Sequence, residues 1–278
     1  MTATNKIKGN AELVIDIILL LGSVAMVLPF VWMLCTSFKT PPDAIRFPPT
    51  FIPRPLVLDN YVAAFTRVPM LRFILNSAIY TLGMTIPSLL LGSLAGFVFA
   101  KMRFPGRELI FLSVLGTMMV PLHVRLIPLY NMMVNFRWVD TYWGVVVPGM
   151  MGPFGVFFFR QHISTIPDDL IDAALIDGCG YFRIYWNVIV PQLKPAFGAY
   201  TIFCFMWGWN DFLWPLIVVN SERMKPLEIG IASFSNINFT QYGLSMAGAS
   251  VAVMPIIVVF LLMQRQFVEG ITMTGIKG

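Results

Sequence analysis

The sequence predicts an all-α, polytopic membrane bundle of about six transmembrane helices. Three observations lead there. Of 278 residues, 57% are hydrophobic and only 12% are charged, about half the ~25% usual for a soluble domain. The apolar residues fall into uncharged runs, and about 20 helical residues are enough to cross the hydrocarbon layer of a bilayer. The runs are too long for barrel strands of ~10 residues and lack their alternating polarity. Only helices and closed barrels satisfy a backbone in lipid, so helices remain.

The spans are expected near residues 14–37, 73–100, 109–133, 141–160, 196–219 and 242–264 of a single domain, 1–278. In the first, no charge occurs from Ile17 to Ser37. That is longer than the apolar core of a secretory signal, and no small-residue cleavage pattern follows, so it reads as a membrane anchor. The second lies between Arg72 and Lys101. The third runs on past Arg125 from an apolar stretch that starts at Leu109. The fourth lies between Asp140 and Arg160, the fifth begins at Pro195, and the sixth begins near Tyr242. Gly83, Pro87, Gly92, Gly96, Gly248 and Pro255 suit close helix packing or local kinks. Gly92-Ser93-Leu94-Ala95-Gly96 reads as a small-residue face for packing inside the bundle. The segment between Lys39 and Arg72 is rich in proline and predicts an extended, irregular connection.

An even number of spans puts both termini on one side. Lys and Arg divide almost evenly between the two sides, but Lys101, Arg103 and Arg107 crowd one short loop. Positive residues favour the cytoplasm, so both ends are placed inside. The net charge of +5 is scattered, with no basic face interleaved with aromatics, so nucleic acid is not an expected partner. Cys35, Cys179 and Cys204 are isolated and make no framework. His123 and His162 have no companions at metal-ligand spacing, and no metal site is expected.

The loop 164–195 interrupts this apolar pattern. Pro167 with Asp168 and Asp169 reads as a helix start, with acids at the positive end of the dipole. Leu170, Ala173, Ala174 and Asp177 follow at helical spacing, and Gly178 permits a turn. A second apolar-periodic piece, Phe182, Tyr185, Trp186 and Ile189, ends at Pro191 and Pro195. A slim helix of alanines and acids between two spans fits a cleft in a soluble partner. The other reading is an amphipathic helix lying on the membrane, but such helices carry flanking Lys or Arg.

The stretch Trp207-Gly208-Trp209-Asn210-Asp211 puts an acid at membrane depth, where ionisable groups are costly and mark pathways. Tryptophan faces stack on sugar rings, and Asn or Asp can bond hydroxyls. The alternative places Trp209 and Trp214 in the outer aromatic belt, with Asp211 at headgroup level. Asn76 also divides between a substrate contact and a polar helix-packing contact.

Asp172-Ala173-Ala174, Gly178, Val188 and Val190-Pro191 fall at the spacing E-A-A, three residues, G, nine residues, I-x-L-P. In this the chain resembles the membrane subunits of binding-protein-dependent ABC importers, with Asp for Glu and Val for Ile and Leu. Leu75-Asn76-Ser77, Ala100 through Gly106, Met119-Val120-Pro121 and Gly208 through Pro215 resemble the carbohydrate-uptake branch, similar to the maltose and glycerol-3-phosphate permeases. The resemblance implies a bacterial inner-membrane permease that works by alternating access. It implies a second, usually different permease subunit, two cytoplasmic ATP-binding subunits and an extracytoplasmic solute-binding protein. It makes Asp172, Ala173, Ala174, Asp177, Gly178 and Pro191 the ATPase-coupling residues of a cytoplasmic loop. Asn76, Trp207, Asn210 and Asp211 remain the candidates for the translocation path.

No G-x-x-x-x-G-K-[ST] loop occurs, so ATP and magnesium are expected on the partner ATPase, and this chain is not expected to be an enzyme. Two alternatives stay open. A gradient-driven secondary transporter predicts buried ionisable pairs and inverted repeats; an importer of glycerol-3-phosphate predicts cationic groups in the pore.

Overall fold

Backbone N–H and C=O groups in long uncharged runs must bond within their own segment, and most of the described chain is accordingly helical. The computed structural model describes residues 3–236 and 239–272, and the side chains of 12–234 and 241–266. These residues gather into two compact units, Met1–Pro69 with Ile231–Val251, and Met70–Gly230 with Ala252–Gly278.

The first unit opens with α1 (Ala3–Ser37). Every residue from Glu12 to Val31 is exposed, and from Ile17 on none is charged, so an apolar surface faces outward all round, as a span set in lipid requires. The proline-rich connection is mostly irregular, as expected, with two short helices, α2 (Pro41–Ala44) and α3 (Asp59–Arg67). Asn60 donates to Ser37 O at 2.9 Å and Lys39 O at 2.8 Å, so two carbonyls near the end of α1 find a side-chain donor. Lys39 is buried, its ammonium 2.5 Å from Thr50 O and 4.2 Å above the Trp32 ring. A two-stranded ribbon, β1 (Ser235–Asn236) against β2 (Phe239–Thr240), pairs antiparallel with Ser235 opposite Thr240. It is the one strand pairing among the described residues.

The second unit is built on α4 (Met70–Lys101). It continues through α5 (Arg107–Gly116), α6 (Leu122–Phe136), α7 (Tyr142–Val146) and α8 (Pro153–Ser164). Next come α9 (Asp169–Ile176), α10 (Tyr181–Ile184), α11 (Val190–Gln192), α12 (Lys194–Trp209) and α13 (Leu213–Val218). Two helices run on into the other unit: α14 (Leu227–Ala232) and α15 (Tyr242–Thr272). The small-residue face of α4 meets α8. A Cβ on Gly92 would lie 3.3 Å from the Gly155 backbone, and one on Gly96 would lie 2.8 Å from Arg160 N. Arg160 stays near the loop after α4: its guanidinium lies 3.8 Å from the Phe111 ring centroid and 2.8 Å from Glu108 Oε1.

Four helical segments are long and apolar enough to cross a membrane: Glu12–Ser37, Met70–Lys101, Tyr142–Ser164 and Tyr242–Gln266. These match the expected first, second, fourth and sixth spans. The third is not straight, and a corner stands just before the fifth, where the loop 164–195 is expected to end. Arg107–Met119 and Leu122–Phe136 are bent by 101°, and Tyr181–Gln192 and Lys194–Val218 by 80°. A proline stands at each corner. Val120, before Pro121, is driven out of the helical region to ψ 112. Leu193, two residues before Pro195 and two after Pro191, sits at φ −86, ψ 3. The five residues before Val190 form a π-turn, Tyr185–Ile189. That wider turn makes room just where Pro191 has no N–H to give and its ring crowds the carbonyl four residues back.

Candidate functional site

The loop after α8 has the two-piece form expected of it. α9 begins at Asp169 with Asp168 as its cap residue, so Pro167 lies just outside the helix instead of in its first turn. The helix ends in a Schellman motif: Cys179 N donates to Ala174 O at 2.9 Å and Gly178 N to Leu175 O at 3.0 Å. That closure needs a left-handed residue, and Gly178 supplies it at φ 79. Ile171 and Ala174 turn inward, at 5% and 8% exposure. Asp172, Ala173, Asp177 and Gly178 face out, with Ile176 and Phe182. Pro191 is exposed at the second corner. The loop therefore presents an outward surface with bare apolar side chains at Ile176 and Phe182.

Residues outside the loop set its position. Lys101, the last residue of α4, reaches Ile166 O and Asp168 Oδ1, each at 2.5 Å. Its side chain is 5% exposed. The Lys101 ammonium holds the Asp168 carboxyl below the usual carboxylate range. Ser93 Oγ and the Tyr185 hydroxyl lie 2.7 Å apart. Around these ties Phe97, Ile163, Ile166, Ile171, Ala174, Ile184 and Ile189 form one apolar cluster. Burial of each such large side chain contributes about 1.5–3 kcal/mol. Sequence reasoning did not single out Lys101 or Tyr185 as site residues. A lysine closing an apolar helix before a turn was the available signal for the first, but its acidic partner is 67 residues away.

Trp207, Asn210 and Asp211 come together on the wall of a cavity of about 590 Å³. Phe154, Phe203, Ser88 and Tyr200 line it with them. Trp207 is exposed, its ring 5.4 Å edge-on from Phe154. Asp211 Oδ1 accepts from Trp214 N at 3.4 Å across the break between α12 and α13. Trp209 and Trp214 do not form an outer belt. Both are buried, and their indole N–H groups donate to Ala252 O at 2.9 Å and Gly144 O at 3.0 Å.

Asn76 lies elsewhere. It is fully buried, donates to Arg223 O and Lys225 O at 2.9 Å each, and accepts from the Tyr142 hydroxyl at 3.0 Å. With its amide engaged at both ends, the geometry is that of a packing contact and not of a wall open to solute.

Residues 61–273 match the family described as the binding-protein-dependent transport system inner membrane component. The chain is 39% identical over 227 residues to the arabinooligosaccharides transport system permease protein AraQ of Bacillus subtilis (strain 168), covering 81% of each chain. It is 31% identical over 274 residues to the sn-glycerol-3-phosphate transport system permease protein UgpE of Brucella abortus (strain 2308), covering 95% of this chain and 97% of that one. It is 33% identical over 253 residues to the lactose transport system permease protein LacG of Rhizobium radiobacter, covering 91% and 92%. Its fold is similar to a chain in the crystal structure of a bacterial ABC transporter involved in the import of the acidic polysaccharide alginate. That match has a TM-score of 0.82 at 19% identity and covers 96% of this chain and 99% of that one. The chain belongs to the inner-membrane components of binding-protein-dependent transport systems.

Proposed function

We propose that this chain is one permease of a heterodimeric ABC importer for a neutral sugar, oligosaccharide or polyol, with both termini in the cytoplasm. The family match runs from 61 to 273, through both compact units, which supports treating residues 1–278 as one permease. The observation that carries the substrate reading is the cavity of about 590 Å³. Phe154, Phe203 and Trp207 offer apolar ring faces, and Asn210 and Asp211 offer partners for hydroxyls, the mix that suits a hydroxylated ring. The relatives include glycerol-3-phosphate permeases. Against that substrate, none of the described residues lining the cavity is Lys, Arg or His. A gradient-driven transporter is set aside by the family assignment.

In this reading the outward surface of α9 and the turn at Gly178 seat the loop on one of two partner ATPase subunits, which hold ATP and magnesium. Asp172, Ala173 and Asp177 make the contact, Ala174 packs beneath them against the apolar cluster, Gly178 sets the turn, and Pro191 sets the corner into α12. An extracytoplasmic binding protein delivers the solute. The pair of permeases alternates between two packings, biased by the nucleotide state of the partners.

Uptake by Asn210→Ala and Asp211→Asn, in complexes that still recruit the ATPase, tests the cavity. Each substitution is expected to weaken transport by about 1–3 kcal/mol, the cost of one unmade buried hydrogen bond. Wild-type uptake by both removes these residues from the path. The division of labour has its own test. The purified chain in nanodiscs is expected neither to bind nor to hydrolyse ATP, because it has no phosphate-cradling loop. Magnesium-dependent turnover that survives removal of contaminating ATPases refutes it.

A further inference from the structure

α4 is fastened at both of its ends, to two segments far apart in the sequence. At its start, Asn76 donates to Arg223 O and Lys225 O, Leu227 N donates to Ser77 Oγ at 2.8 Å, and the Tyr80 hydroxyl donates to Met224 O at 2.6 Å. Asn76, Ser77 and Tyr80 are all buried. Together they pin residues 223–227, the segment between the fifth and sixth spans. At its end, Lys101 holds Ile166 O and Asp168, and Ser93 holds Tyr185. These pin the loop that carries α9 and Gly178. The 32 residues of α4 at about 1.5 Å each make a rod about 48 Å long. Its last third is wedged against α8 through Gly92 and Gly96, where backbone meets backbone. The helix runs unbroken through Pro87, and a densely packed element transmits strain along its length.

We propose that α4 is the element that couples the 223–227 segment to the ATPase-facing loop, with Asn76, Ser77 and Tyr80 as positioning residues at one end and Lys101 and Ser93 at the other. The orientation puts residues 223–227 on the face where a binding protein arrives. What happens there is passed to α9 through α4, and nucleotide events at α9 return by the same route, since coupling between two sites is reciprocal. None of these residues touches the solute or the nucleotide. The proposal rests on the permease reading for the identity of the two faces, but the connection itself is a property of this chain.

The test is amide hydrogen exchange on the assembled complex in nanodiscs, read at 223–227 and at 166–185. Asn76→Ala removes the first fastening and Lys101→Met the second. Each is expected to raise exchange at the far end as well as the near one, by roughly 5- to 150-fold, the ordinary range of coupling between sites. Tyr80→Phe and Asp168→Asn remove one hydrogen bond or one charge while keeping shape, and serve where the first pair fails to assemble; they are expected to act in the same direction with smaller size. Leu90→Ala, at an exposed position of the same helix, is expected to change neither end. Exchange that rises only near the substitution, or at neither end, overturns the proposal. So does a Leu90→Ala that loosens both ends, because general destabilisation would then explain the rest. Uptake is measured on the same samples. Lost solute specificity with intact two-ended exchange would count against the permease reading and leave the coupling standing.

Discussion

Gly178→Val is expected to abolish uptake in membranes where the protein is still inserted, and to reduce ATPase co-purification with it. An added Cβ would meet nothing within 4 Å, so the fault is not a clash with a neighbour. It lies in the backbone: φ is 79, a region that costs an ordinary L-residue roughly 1–2 kcal/mol and a β-branched one more. The strain is relieved by giving up the bonds that close α9, Cys179 N to Ala174 O and Gly178 N to Leu175 O. Without them Asp177 and Ile176 no longer face the direction set by Ile171 and Ala174 beneath. A graded series separates this cause from mere bulk. Asn tolerates the left-handed region best after Gly, then Ala, then Val. Uptake should fall in the order Gly, Asn, Ala, Val. Normal uptake and normal ATPase co-purification by Gly178→Val would overturn the argument.

The turn at Gly178 could be read in the sequence because it is local. A glycine after a run of helix formers, followed by a new apolar periodicity, needs no distant partner to be recognised. The first, second, fourth and sixth spans were legible for a similar reason, since a lipid solvent acts on each residue separately and sums along the chain. The bend at Val120 was not, whereas the corner at Leu193 falls where Pro191 and Pro195 already end the second piece of the loop. Pro87 and Pro255 stand inside helices that continue through them, while Pro121 and Pro195 stand at corners. Hydropathy is the same in both cases, and what the neighbours pack against decides the outcome. Long-range polar contacts were hidden altogether. Asn76 could be seen as a polar residue in a span, but its partners are 147 and 149 residues away. Trp209 and Trp214 have the composition of an aromatic belt, and only the carbonyls of Ala252 and Gly144 show them to be fastened indoors.

Gly96→Val is expected to prevent the second unit from packing, with the chain recovered in low yield and melting well below the parent in detergent. Here the obstacle is steric. A Cβ on Gly96 would stand 2.8 Å from both Arg160 N and Phe159 Cβ, and 3.0 Å from Phe159 C. Two of these atoms are backbone of α8 and cannot swing aside as a side chain would. α4 and α8 must separate. Separation opens the cluster around Phe97 and Phe159 and pulls Arg160 from Glu108 and Phe111. Overpacking of this kind costs about 1–3 kcal/mol even where neighbours can adjust, and these cannot. Gly92→Ala is the contrasting case. Its Cβ would sit 3.3 Å from Gly155 C and 3.4 Å from Gly155 Cα, a gap that a shift of a few tenths of an ångström relieves, so a small loss of melting temperature is expected. Gly22→Ala, with nothing within 4 Å on a helix that faces outward all round, should be silent or slightly stabilising, since alanine is the better helix former. If the three variants melt alike, the small-residue face of α4 is not what brings the two helices together, and the close approach of α4 to α8 must have another cause.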